Sequence, residues 1–207
     1  MKRTIIAISR EHGAGGTAIG KKLSEELGIP VYERKVIELA AEKSGLSADY
    51  IGSLEENSSR SFLFNLVSHS YSPASMLPQY DVPVTFSAYA AQGQVIRELA
   101  AAGSCIVIGR CAEYILRDDP DVLTVFLRAD REDRIAYVMK ESGLDRKAAE
   151  QKLKQIDRGR ANYYRGYTGD EWGSVENHDL SINTSVSGID GAVKLIEALI
   201  ESTGRMQ

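Results

Sequence analysis

Three stretches of the chain bring together residue types suited to handling phosphate. The first is the loop 9–17, Ser9-Arg-Glu-His-Gly-Ala-Gly-Gly-Thr17, which follows an apolar run and opens a stretch with Ile19, Leu23 and Leu27 on one helical face. N–H groups at a helix N-terminus carry partial positive charge, so such a loop suits an anion. Gly13, Ala14, Gly15 and Gly16 offer backbone N–H groups, and Thr17 a hydroxyl for Mg²⁺ or a phosphate oxygen. Phosphate loops of this kind carry a lysine directly after the last glycine before the helix. Here Gly15 is followed by Gly16 and Thr17, so that lysine is absent, and Arg10 or Lys21 is the candidate to replace it. The second stretch, Cys105-Ile-Val-Ile-Gly-Arg110, ends an apolar run in a guanidinium, at the carboxyl end of a strand where open α/β sheets bind ligands. A guanidinium fork matches two phosphate oxygens at once. In the third stretch Asp157 and Arg160 lie three apart and share a helical face, with Arg131, Arg134, Arg146, Arg158 and Arg165 nearby. Such a segment suits a lid that neutralises phosphate charge in a transition state.

Each stretch also has a plainer reading. A glycine-rich βα turn needs no ligand, Arg110 can pair with a structural carboxylate such as Glu113, and a charged helix can simply be solvated. His12 has at most a minor role, because phosphoryl transfer leaves a protein little acid–base work. His69 and His178 have no partner at metal-ligand spacing, and Cys111 reads as a small helix-start residue rather than a nucleophile.

Elements must position these groups. Apolar runs at 4–9, 29–32, 105–108, 122–127 and 180–183 are mostly continuous, as expected of strands buried on both faces of a parallel sheet. Helical patterns lie between them: one ending at Gly28, one at 34–44 before Gly45, one at 88–102 and one at 131–142 before Gly143. A long charged helix capped by Asp145 reaches about residue 164, and a last helix spans about 190–201. Strands alternating with helices give βαβ units, hence a doubly wound three-layer α/β/α domain with a parallel sheet. Residues 57–87, rich in serine with Pro73, Pro78 and Pro83, form an excursion from the sheet suited to a flap or a homo-oligomer contact. The Arg-rich segment 144–175 is the lid-like part.

With 207 residues the chain fits one domain with a sizeable core. A net charge of −4 gives no basic footprint for a nucleic-acid backbone. No apolar run approaches the roughly 18 residues needed to cross a membrane, and the short apolar start is broken at once by Arg10-Glu11. Two cysteines make neither a metal set nor a disulfide framework, so the expectation is a soluble cytoplasmic protein.

Taken in order, the three stretches resemble the nucleoside monophosphate kinases of the P-loop class, and most closely the cytidylate kinase-like family, over nearly the whole chain. The broader group reads Gly-Ala-Gly-Lys-Gly-Thr in its loop, where this chain reads Gly13-Ala-Gly-Gly-Thr17. Gly109-Arg110 match a Gly-Arg-Asp motif, with Cys111 in place of the Asp expected to help hold the acceptor sugar. Ser9-Arg10-Glu11, Tyr32-Glu33-Arg34, Ile108-Gly-Arg-Cys-Ala112 and Asp179-Leu-Ser-Ile-Asn-Thr184 look typical of the cytidylate kinase-like family, so the missing lysine looks like a family trait. The resemblance implies a five-stranded parallel sheet in the order 2-3-1-4-5 and ATP with Mg²⁺ on Gly13–Thr17. It further implies a nucleotide acceptor, CMP or dCMP first, held by Arg34, Arg110, Asp157 and Arg160. Arg110, Arg158 and Arg160 would neutralise the transferred group. A nucleotide sensor without turnover, or a kinase of another small acceptor, stands as the alternative.

Overall fold

The computed structural model describes residues 3–57 and 84–204. Five strands, β1 (Ile5–Arg10), β2 (Val31–Tyr32), β3 (Cys105–Ile108), β4 (Val122–Arg128) and β5 (Leu180–Asn183), form one sheet in the order β2-β3-β1-β4-β5, parallel throughout. This is the doubly wound α/β architecture and strand order expected. Helices α1 (Gly16–Leu27), α2 (Arg34–Ser44), α3 (Ala48–Asn57), α4 (Val84–Ala102), α5 (Ala112–Ile115), α6 (Arg131–Ser142), α7 (Arg146–Thr168) and α8 (Thr184–Ser202) connect and cover the strands.

Central β1 shows why the sheet is buried on both faces. Its side chains alternate sides, so Ile5 and Ala7 join a cluster with α2, α3, α4 and α7, while Ile6 and Ile8 join Ile19 and Leu23 of α1 and Ile196 of α8. A small separate cluster, Ile135 and Val138 of α6 with Ala149 and Leu153 of α7, ties those two helices together. The glycine stops behave as the sequence suggests: Gly28, Gly45 and Gly143 sit at helix C-caps with φ of 65°, 70° and 65°.

The structure departs from the sequence reading in several places. Strand β2 is two residues long rather than four, because Pro30 has no N–H to extend the ladder and contributes only its carbonyl, to Ile106 N–H at 2.8 Å. Helix α3 was not expected at all. Helix α4 starts at Val84, four residues before the expected position, and α8 starts at Thr184 instead of about 190, with a break at Gly188 (φ 66°). The excursion expected at 57–87 falls largely on residues 58–83, outside the described residues; 84–87 form the first turn of α4. In the lid-like segment 144–175, the first half of α7 packs on α6, and Tyr163 and Tyr164 in its second half are buried in the main core. Gly159 permits this, since any side chain there would run into the backbone of Glu56 on α3. Among the described residues no helix is long and apolar enough to cross a membrane.

Candidate functional site

The carboxyl end of β1 opens into a cleft of about 1010 Å³, bounded by the loop after β1, by α2 and α3 on one side and by the start of α8 on the other. Gly13 (φ 83°) and Gly15 (φ 80°) adopt left-handed backbone that glycine takes without penalty. Crowding reinforces the requirement: a Cβ on Gly13 would lie 3.2 Å from the Arg134 backbone, and one on Gly15 would lie 2.5 Å from Ile189 Cδ1. Gly15 is the N-cap of α1, and among the described residues no side chain caps the helix. The first-turn N–H groups of α1 therefore face the cleft without an intrahelical partner, at the positive end of the helix dipole. Thr17 stands at this turn, and its hydroxyl donates to Glu33 Oε2 at 3.0 Å and Oε1 at 3.2 Å.

Arginines and carboxylates alternate along the cleft floor. Arg10 Nη2 lies 3.2 Å from Glu33 Oε1 and its Nη1 3.5 Å from Glu55 Oε1. Arg110 Nε lies 3.3 Å from Glu55 Oε2, and Arg110 also donates to the carbonyls of Ile51 (3.3 Å) and Gly52 (3.4 Å) on α3. Arg160 Nη1 donates to the Arg10 carbonyl at 3.0 Å and its Nη2 lies 3.6 Å from Glu56. Arg160 Nε is buried with no acceptor among the described residues. Burial alone would push the Glu55 carboxyl up, but Arg110, Arg10 and Arg160 outweigh it and hold it at about 2. The carboxylate that pairs with Arg110 is thus Glu55, not Glu113. Glu113 instead accepts the Ser9 hydroxyl at 2.6 Å, and burial raises its carboxyl above the ordinary value. Gly109, Arg110 and Cys111 all have positive φ (74°, 61°, 55°), a run that two non-glycine residues enter only at a cost, on the order of 1–2 kcal/mol each, and that turns β3 sharply into α5. The Cys111 thiol is buried and pushed far up by burial, in keeping with a structural role.

Asp157 acts from behind the loop. Its Oδ1 accepts the His12 N–H at 2.9 Å and its Oδ2 takes Arg134 Nη1 at 2.5 Å. Arg134 also donates to the His12 carbonyl at 3.4 Å and lies 3.5 Å from Glu11, whose Oε2 accepts the Ala129 N–H at 3.0 Å. Helices α6 and α7 are thereby clamped to the loop. The His12 imidazole is half-buried, and burial followed by Arg160 lowers its pKa, which keeps it neutral around pH 7.

Of the residues singled out in the sequence, Gly13, Ala14, Gly15, Gly16, Thr17, Arg34, Arg110 and Arg160 line the cleft. Arg34 is on its exposed rim, 3.6 Å from Glu38. Asp157 supports the loop rather than facing the cleft, and Arg158, on the outer face of α7, is exposed and lines no part of it. Of the two substitutes for the lysine, Arg10 lies in the cleft while Lys21 is exposed on α1 outside it. Sequence reasoning gave no role to Glu33, Glu55 and Glu56, nor to Thr184, Ser185, Gly188 and Ile189, which close the cleft beside Gly15. Glu33 and Thr184 were within reach, since both stand in motifs noted above; the acids of α3 carried no local signal.

The sequence model of the cytidylate kinase-like family matches residues 5–186. A cytidylate kinase of Methanopyrus kandleri is 22% identical over 206 residues, covering 95% of this chain and 93% of that protein. Among solved structures, an uncharacterized protein from Eubacterium ventriosum superimposes with a TM-score of 0.72 at 27% identity, over 97% of this chain and 99% of the other. A shikimate kinase from Bacteroides thetaiotaomicron gives a TM-score of 0.54 at 14% identity, over 96% and 98% of the two chains, a likeness of fold alone.

Proposed function

The chain belongs to the cytidylate kinase-like family, and we propose that it is a nucleotide-dependent phosphotransferase that passes the γ-phosphoryl of ATP to a nucleoside monophosphate, CMP and dCMP being the first candidates. A kinase-type function on nucleotides is what family and fold support. One observation carries the finer reading: the uncapped, glycine-walled N-terminus of α1 opens into the same cleft as Arg10, Arg110 and Arg160.

The residues present fit the groups implied. The N–H groups from Gly15 to Ala18 suit phosphate oxygens, and the buried Nε of Arg160, without an acceptor among the described residues, is a further donor. Thr17 and Glu33 bring a hydroxyl and a carboxylate side by side, the oxygen donors Mg²⁺ prefers, with phosphate and water completing its shell. When bound, ATP supplies the phosphoryl group: the bond from Pγ to the β,γ-bridging oxygen breaks, ADP leaves with its electron pair, and a new bond forms to an acceptor phosphate oxygen. The protein's part is positioning and charge neutralisation, with Arg110 and Arg160 beside the transferred group and Arg34 at the acceptor end.

A second reading, a nucleotide sensor with little or no turnover, draws on the pairing of Arg10, Arg110, Arg160 and Arg34 with carboxylates of this chain and on the missing lysine. ADP release at fixed Mg²⁺·ATP, with CMP, dCMP, UMP, AMP, GMP and no acceptor, separates the two. Acceptor-dependent release, greatest with CMP or dCMP, is expected. Calorimetric binding of ATP without release by any acceptor would favour the sensor, and absence of ATP binding would remove both readings.

A further inference from the structure

We propose that Arg10 is the catalytic cation of this loop, exchanged in position with the glycine that now stands where the lysine would be. The inference rests on the phosphotransferase reading above. In the loop pattern G-x-x-x-x-G-K-[ST], Gly15, Gly16 and Thr17 fall on the last three places, which puts Arg10 on the first glycine. Cation and glycine have traded places across the loop, and the structure shows why each exchange needs the other. The Arg10 stem runs directly over Gly16: a Cβ there would lie 2.8 Å from Arg10 Cγ, 3.2 Å from its Cβ and 3.4 Å from its Cδ. These are atoms near the root of the side chain, so they cannot swing aside while the guanidinium stays where it is. A lysine at position 16 and this Arg10 conformation are mutually exclusive.

A glycine also stands at the far end of the side chain. A Cβ on Gly109 would overlap the Arg10 guanidinium, so Arg10 lies in a slot with Gly16 at one end and Gly109 at the other. Its side chain is 10% exposed, which fixes where the charge is delivered. The charge is delivered beside the Thr17 hydroxyl: one oxygen of Glu33, Oε1, is 3.2 Å from Arg10 Nη2 and accepts that hydroxyl at 3.2 Å. A carboxylate oxygen held between a cation and that hydroxyl stands where a phosphoryl oxygen would be held by the same two groups. Were Thr17 and Glu33 to hold Mg²⁺, the Arg10 guanidinium would be available to phosphate oxygens at that point, while Glu55, 3.5 Å from its Nη1, would keep it in register. Lys21 does not compete for the role, being exposed and outside the cleft.

Calorimetric titration with Mg²⁺·ATP and with Mg²⁺·ADP tests this without knowledge of the acceptor. The wild-type chain should prefer ATP. Arg10→Ala should lose affinity for ATP on the order of 10- to 100-fold, the range of one charge-assisted hydrogen bond, and lose far less for ADP. Arg10→Lys, which keeps a charge for Glu33 and Glu55, should lie between. The reciprocal variant Arg10→Gly/Gly16→Lys should recover the preference for ATP, and Lys21→Ala should leave it intact. An unchanged ATP-to-ADP ratio in Arg10→Ala, a loss of preference in Lys21→Ala, or a folded reciprocal variant no better than Arg10→Ala overturns the proposal. Failure of the wild-type chain to bind Mg²⁺·ATP would instead remove the phosphotransferase reading, and this inference with it.

Discussion

Replacing Glu55 by glutamine removes the one fully buried carboxylate that three cleft arginines share, without changing the volume of the side chain. In the folded chain this carboxyl is held at about 2 against an ordinary 4.5. At about 1.4 kcal/mol per pH unit the charged form contributes about 3 kcal/mol of stability, in line with the cost of breaking a buried ion pair from one side. The folded pKa is the depressed one, so the contribution is complete above about 4.5 and disappears as the pH falls toward 2. Glu55→Gln should thus melt roughly 6–12 °C below the wild-type chain at pH 7, given about 2–4 °C per kcal/mol for a chain of this length. The gap should close as the pH is lowered through 4.5 toward 2. Differential scanning calorimetry of both chains across that range measures it, and comparison of the two cancels the other carboxylates. Equal melting at pH 7, or a gap that does not change below pH 4.5, would refute the assignment of Glu55 as the shared counter-charge.

Other outcomes follow from single contacts. Asp157→Ala leaves the His12 N–H and Arg134 without their carboxylate, which should cost about 2–3 kcal/mol in urea unfolding and weaken Mg²⁺·ATP binding in calorimetry; no change in either would mean the loop does not need the clamp. Gly159→Ala gains about 1 kcal/mol of helix propensity but drives a methyl into the Glu56 backbone, so the net should be destabilising by about 1–3 kcal/mol in thermal unfolding, and a stabilised variant would contradict the close α3–α7 approach. Arg158→Ala, at an exposed site, should change stability by less than about 0.5 kcal/mol and leave ADP release unaltered, whereas Arg160→Ala should abolish most of it; equal losses would bring Arg158 back into the site.

The sheet was legible because its signals are local. Four consecutive apolar residues in β1, glycines just past the ends of α1, α2 and α6, and Asp145 capping α7 by accepting the Ala148 N–H at 2.8 Å all act within a few residues of themselves. Helix α3 gave no comparable signal: its buried apolar residues are Ile51 and Leu54 alone, with Asp49, Ser53, Glu55 and Glu56 between and around them. The start of α8, six residues before the expected helix, was hidden by Gly188, which breaks the helical pattern. At the site, residue types were readable and pairings were not. Glu113, three residues from Arg110, was the natural partner on sequence distance, yet Glu55 is brought in from 55 residues away because Gly159 lets α3 settle on α7. The same holds for Asp157, which meets the loop at a separation of 145 residues. A buried carboxylate has to find compensating charge, but the chain reveals which charge only once the helices are packed.

The central claim is that the loop after β1 is a phosphate cradle, and the amide signals of that loop report on it directly. Titration of ¹⁵N-labelled protein with the Mg²⁺ complex of a non-hydrolysable ATP analogue should move the Gly13, Gly15, Gly16 and Thr17 amides saturably and downfield, with Arg10 side-chain signals following. Saturable binding that leaves those four amides in place, or no binding at millimolar analogue, would contradict it.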